Sequence, residues 1–330
     1  MRRRWWRAAA GLLVAALFVL LIGRHVAWAD VRAVLASAEP APLLLGLAAL
    51  TADMGARIVR WWWMLRAADP DLPLGACVRP YLGSLALNNT VPLRAGDVVR
   101  VVGFRQALRV SSPHVLGTVV LERILDLLVL LAILAVGLLG TSQAFPRPFV
   151  AGAFAAGGVG LLALITLTLF PAAVSTLLGR LVAPLARGRA WGPGALRAVD
   201  QLAESLALLR APGLALRLIG VSVLAWVLEG VVFASVAWSL HISVPPLAFC
   251  LTLGAATLAT LLPSSPGYVG TFDYFGMLGL AAYGAARAEA AAFALLAHVM
   301  LWLPVTLAGF AALLLTGRPV AKSALRPDAA

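Results

Sequence analysis

Apolar runs long enough to cross a membrane recur along this chain, and some of them hold charges in their interior. The run at 115–140, VLGTVVLERILDLLVLLAILAVGLLG, shows the conflict: Glu122, Arg123 and Asp126 lie in its first half. A crossing helix needs about 20 mainly apolar residues, and a charge inside one is costly unless it is paired or wetted. Other runs cover 8–23, 41–65, 149–170, 218–240 and 290–315, with shorter ones at 247–262 and 272–286 and a moderately apolar one at 74–93. Residues are 62% hydrophobic and only 12% charged, which excludes an ordinary soluble domain. The expected fold is an all-α, polytopic membrane helix bundle.

One integral membrane domain over 1–330 is expected, with a first half at 1–140 and a second at 149–318. A crossing helix and a basic, amphipathic cytoplasmic segment at 171–217 join them. The length leaves room for about six to nine crossing segments and, on this reading, none for an appended catalytic domain. The start, MRRRWWRAAAGLLVAALFVLLIG, has a basic end and an apolar run but no A-x-A cleavage pattern, so it reads as a retained first helix.

The net charge is +12, from twenty-five arginines and one lysine, Lys322. On a soluble chain this would suggest nucleic acid. Here the basic residues flank apolar runs, so they read as orientation and headgroup contacts, and no nucleic-acid partner is expected. Arginine's planar fork of donors suits phosphate; a GC-rich coding bias explains the same excess. Cys77 and Cys250 are far apart with no metal-ligand spacing, so neither a metal nor another cofactor is expected.

Orientation follows the arginines. With a cytoplasmic N-terminus, the run 41–65 ends inside at RIVRWWWMLR, which reads as an interfacial aromatic and arginine belt. A full crossing by 74–93 would leave Arg94, Arg100, Arg105 and Arg109 outside. A re-entrant hairpin keeps them in the cytoplasm, and both termini then fall there. The runs 247–262 and 272–286 are too short to cross a core of about 30 Å. Joined by PSSPGYVGT, they read as a second hairpin from the outer face, an arrangement compatible with an inverted repeat. Within 171–217, LRAVDQLAESLALL reads as an amphipathic interfacial helix.

Three stretches carry chemistry. In NNTVPLRAGDVVR, Asn88 and Asn89 can satisfy irregular backbone or a headgroup, Arg94 and Arg100 can take phosphate, and Asp97 can order them; a plain cytoplasmic connector is the simpler reading. In LERILD, Glu122 and Asp126 share a helix face beside Arg123, either walling a polar cavity or bridging to Arg94 or Arg100. In LPSSPGYVGTFDYFG, Pro263, Pro266, Gly267 and Gly270 break the helix ahead of Asp273. The new helix start suits an anionic group, or Asp273 simply caps it. Pro92 and Gly96 are the matching breaks in the first hairpin. Asp53 and Arg57 are spaced to pair, and Glu229 and His298 are isolated intramembrane polar residues, suited to a cavity, to proton coupling or to an interhelical bond. Walker, HExxH, G-x-S-x-G and Rossmann patterns are missing from the sequence, so ATP hydrolysis and familiar hydrolase chemistry have no support.

Together these stretches resemble the flippase-like family, also called the lysylphosphatidylglycerol synthase transmembrane region. Its pattern reads N-x-x-P-x-R-x-G-E-x-x-R, then E-R-x-x-D, then P-x-P-G-G-x-G-x-x-E. The resemblance covers nearly the whole chain and points to Asn89, Pro92, Arg94, Gly96, Arg100, Glu122, Arg123, Asp126, Pro263, Pro266, Gly267 and Gly270. Asp97 and Asp273 stand in place of glutamates, Tyr268 in place of the second glycine, and His298 where many members carry arginine.

The resemblance implies translocation of an amphiphilic, anionic or isoprenoid-type lipid (hopanoid-associated members suggest the latter) across a bacterial cytoplasmic membrane. The lipid-binding residues would be Asn88, Asn89, Arg94, Asp97, Arg100, Glu122, Arg123, Asp126, Asp273 and His298. An intramembrane transferase acting on a lipid-linked substrate is the alternative, and a non-transporting partner in a lipid-modifying complex is a third reading. A lipid-biosynthesis enzyme or a second copy of the chain would be the protein partner.

Overall fold

A computed structural model describes residues 16–23, 26–91, 95–141, 145–187, 192–262 and 265–315. Every regular element among them is helical. After a helical stretch at 16–23 come α1 (Trp28–Ala36), α2 (Pro40–Leu65), α3 (Gly75–Thr90), α4 (Ala95–Val102), α5 (Arg105–Leu108) and α6 (Ser112–Leu139). The rest are α7 (Arg147–Leu169), α8 (Pro171–Ala186), α9 (Gly192–Leu206), α10 (Pro212–Ser239), α11 (Pro246–Ala259), α12 (Thr271–Ala281) and α13 (Arg287–Leu315). Proline opens α2, α6, α7, α8, α10 and α11 at a first-turn position. There its missing N–H has no helical partner to lose and its fixed φ already suits a helix.

Three helices, α2, α10 and α13, are long and apolar enough to cross a bilayer, and the protein is a multi-pass membrane protein. Helix α6 has 28 residues but keeps its three charges midway. Helices α2 and α10 run antiparallel. The Glu39 amide donates to the Ser239 carbonyl at one end (2.9 Å), and Arg60 meets Ser222 toward the other (2.8 Å). Trp61 donates to Thr118 (3.0 Å), tying α6 antiparallel to α2 as well.

Lipid removes most of the hydrophobic drive between crossing helices, so close approach of small residues has to hold them. The α6–α11 crossing illustrates this: a Cβ on Gly137 would strike the backbone of Leu251, and one on Gly254 would strike that of Leu134. Nine alanines sit in the same core cluster, along α11 and α13.

Both hairpins are present. Helix α3 spans about 24 Å, α11 about 21 Å and α12 about 16 Å, each short of a full crossing. Helix α4 folds back on α3, and α12 folds back on α11. Arg79 of α3 reaches the Leu313 carbonyl near the end of α13 (3.4 Å), whereas Tyr283, after α12, donates to Gly137 near the end of α6 (2.5 Å). These ends lie on opposite faces of the bundle, so the hairpins enter from opposite sides.

The expected belt at RIVRWWWMLR is only half right. Arg60 and Trp61 are fully buried and Arg57 nearly so. Only the far side conforms: Arg66 is exposed, lies over the Trp62 ring (4.9 Å) and donates to the Pro70 carbonyl (2.8 Å). The amphipathic segment forms two helices, α8 and α9, and α9 packs on α6 as well as on α8. Helix α1 is an addition that periodicity did not suggest.

Candidate functional site

The tips of the two hairpins meet. Asn89, near the end of α3, gives its side-chain amide to Thr306 (2.9 Å) and takes the Trp302 indole N–H on its carbonyl (3.3 Å). At Gly267, in the turn Pro266–Tyr268 of the second hairpin, an added Cβ would come within 2.9 Å of that same Trp302 indole nitrogen and 3.4 Å of the Asn89 carbonyl. The φ of Gly267 is +72°, and Gly270 follows at +87°, values natural to glycine. Tyr268 also adopts a positive φ, +61°, at the position where the family pattern has glycine.

Behind the meeting point lies a cavity of about 230 Å³. Its polar wall holds Asp53 and Arg57 from α2, Asn88 and Asn89 from α3, Arg100 from α4, Glu122, Arg123 and Asp126 from α6, Glu229 from α10 and His298 from α13. Leucines, Phe272 and Trp302 supply an apolar side. The expected site residues on this wall are therefore brought together, and none faces a separate loop.

The arginines and carboxyl groups form one network. Arg57 meets Asp53 (2.7 Å) and Glu229 (2.8 Å), with Asp126 at 3.8 Å. Arg60 meets Asp126 (2.7 Å) and Glu122 (3.5 Å), and Arg100 meets Glu122 (2.7 Å). Aromatic faces add to this: Arg57 lies over Trp226, and Arg100 between Trp61 and Tyr81, at 4.4–4.9 Å. Buried ions demand such partners, because removing either sign strands the other away from water. The network counts three arginines against four carboxylates. Asp53 Oδ2, Glu122 Oε1 and Thr257 Oγ1 have no hydrogen-bond partner among the described residues. They are buried acceptors beside the cavity that the described protein groups leave without a hydrogen bond.

Two expected residues stand one contact back from the wall. Asp97 holds the Asn88 amide (2.9 Å) and Arg123 (3.0 Å). It lies on the short α4, outside the crossing helices. Burial opposes its charge, but Arg123, Arg100 and the Asn88 bond outweigh burial and keep the carboxyl below the usual aspartate range. Asp273 accepts the Gly270 amide (2.8 Å), so the capping alternative is the one realised, and its other oxygen meets His298 (2.8 Å). Gly96 lets α4 close on α3: a Cβ there would strike the Ser84 carbonyl and Asn88 Oδ1. Arg94, Pro92 and Pro263 lie outside the described residues. Arg60 was missed, although its spacing from Arg57 and Asp53 puts all three on one face of α2.

A polytopic helix bundle with two opposed broken hairpins around a charged intramembrane cavity is the class this geometry defines. The chain belongs to the family described as the lysylphosphatidylglycerol synthase TM region, whose model matches residues 8–309. It is also similar to glycosyltransferase AglD of Haloferax volcanii, 24% identical over an alignment covering 90% of this chain and 54% of that protein. The chain thus spans about half the length of that curated relative. Its function is membrane-lipid-related.

Proposed function

We propose that the protein carries amphiphilic lipids between leaflets, the headgroup moving through the ion-lined cavity while the tails stay in lipid. One observation carries this reading: the two hairpin tips, entering from opposite faces, meet at a cavity walled by Arg57, Glu122, Asp126 and Glu229. A headgroup crossing bare hydrocarbon would lose its hydration without replacement, whereas this wall offers side chains of both signs of charge. Arg123, whose side chain is 42% exposed, is the arginine of the cavity wall most available to a phosphate; Arg57 and Arg100 are buried against carboxylates. Asp97 balances Arg123 and Asp126 balances Arg60 and Arg57, and Pro266 to Gly270 form the flexible joint. The arginine-rich face, with Arg187, Arg197, Arg210 and Arg217, is the cytoplasmic one on the positive-inside rule.

The test is leaflet transfer of fluorescent anionic, zwitterionic and isoprenoid lipids in proteoliposomes of the purified protein. Transfer above that of protein-free liposomes is expected for at least one class, and a rate equal to theirs for all three refutes the reading. A transferase reading takes its support from the relative's name. Covalent change of the lipid during incubation with sugar donors would favour it over transport.

A further inference from the structure

The imidazole of His298 lies between two oxygens. Nδ1 is 2.8 Å from Asp273 Oδ1, and Nε2 is 2.8 Å from the Gly267 carbonyl. A neutral imidazole has one N–H and one lone pair, so it can satisfy only one of two acceptors. Meeting both contacts requires one further proton, as imidazolium against carboxylate or as imidazole against carboxylic acid. The closed arrangement therefore holds a proton that the open one does not need.

The two partners are not equally anchored. The second oxygen of Asp273 is fixed by the Gly270 amide at the start of α12, and the His298 ring rests edge-on against Phe272 (5.1 Å). Gly267 belongs instead to a three-residue turn with positive φ on Gly267 and Tyr268. Loss of the proton sets a lone pair of His298 against an oxygen, and the turn is the part that can yield. That turn is also what meets Asn89 at the tip of the opposite hairpin, beside Trp302 of α13.

The surrounding groups are accounted for. Across the cavity stand Asp53 and Arg57 of α2, Arg100 of α4, Glu122, Arg123 and Asp126 of α6 and Glu229 of α10, with the phenols of Tyr81 and Tyr268. Every arginine among them already faces a carboxylate.

We propose that Asp273 and His298 form a proton-binding site that latches the two hairpin tips together, making the proton a co-substrate of lipid movement. The coupling rests on the translocation reading above; the latch itself does not.

The experiment uses the full chain in detergent micelles, in a Cys77→Ala/Cys250→Ala background. Spin labels go at Val91 and Val269, exposed positions beside the two tips. Histidine ¹⁵N resonances are recorded in parallel, with His298 assigned through His298→Gln. The expected result at neutral pH is a closed tip pair with the extra proton on the dyad. Raising the pH should widen the label distance, the open-to-closed ratio rising about tenfold per pH unit, as one-proton linkage requires. His298→Arg keeps the cation and should hold the short distance across that range; Asp273→Asn, whose amide can donate to Nδ1 as the protonated acid does, should hold it as well. A single neutral tautomer beside ionised Asp273 with closed tips overturns the latch, as does a wild-type distance that ignores pH. In proteoliposomes, wild-type transfer should vary with pH and that of His298→Arg should not. A wild-type protein that moves no lipid refutes the translocation reading, while the distance and ¹⁵N measurements still decide the latch.

Discussion

Replacing Arg60 with methionine should be among the most damaging single changes in the bundle, although no part of Arg60 reaches the surface. The guanidinium serves Asp126 twice (2.7 and 3.2 Å), Ser222 (2.8 Å) and Glu122 (3.5 Å). Methionine fills much of the volume but donates nothing. Glu122 would keep Arg100, whereas Asp126 would retain only the Trp226 indole at 3.3 Å and Arg57 at 3.8 Å. Stranding one member of a buried pair costs about 3–5 kcal/mol. With an unfolding entropy near 2.1 cal/mol/K per residue, a chain of 330 residues should lose about 4–7 °C in Tm. Thermal unfolding in micelles, followed by the near-ultraviolet signal of the buried tryptophans, reads this directly. The comparison is Arg123→Met, which breaks one 3.0 Å pair on a side chain 42% exposed; it should cost about 0–1 kcal/mol. Adding Asp126→Leu to Arg60→Met removes the stranded charge and should recover much of the loss. If Arg60→Met unfolds within about 1 °C of wild type, or the double variant is no better than the single, the network does not carry the energy assigned to it.

Four further outcomes are expected. Gly96→Ala drives a methyl into the Ser84 carbonyl and should cost about 1–3 kcal/mol, seen as a lower Tm and looser α3–α4 packing by hydrogen exchange. Glu229→Gln removes the 2.8 Å ionic partner of Arg57 and should slow lipid transfer about tenfold or more in the liposome assay. Asp97 has a lowered carboxyl pKa, so its contribution is present above the unfolded value and fades as pH falls through the folded one; wild type should lose Tm below about pH 4 more steeply than Asp97→Asn. Single cysteines at Glu39 and Asp69, at opposite ends of α2, should react with an impermeant maleimide from opposite sides of sealed vesicles.

Much of the architecture was legible because a bilayer leaves few choices. The runs at 41–65, 115–140, 218–240 and 290–315 became α2, α6, α10 and α13 within a few residues, since apolar length marks such helices plainly. The shortness of 247–262 and 272–286, and the arginines after 74–93, were enough to indicate hairpins. The spacing of Asp53 and Arg57 foretold their pairing, and the bridge from Glu122 to Arg100 was one of the alternatives weighed.

Which charge answers which was decided only by the tertiary structure. Arg60 lay in a tryptophan-rich stretch that suits an interface equally well, and nothing local distinguishes an arginine facing headgroups from one facing Asp126. The helix start ahead of Asp273 could equally have bound an anion or been capped by Asp273; the fold realises the cap, and the meeting of α12 with α13 adds His298 to it. The physical reason is that apolar periodicity reports how far a helix is from water, a one-dimensional property. Ion pairing and side-chain hydrogen bonding depend on the crossing of helices distant in the chain, as Arg57 with Glu229 and Asn89 with Thr306 show.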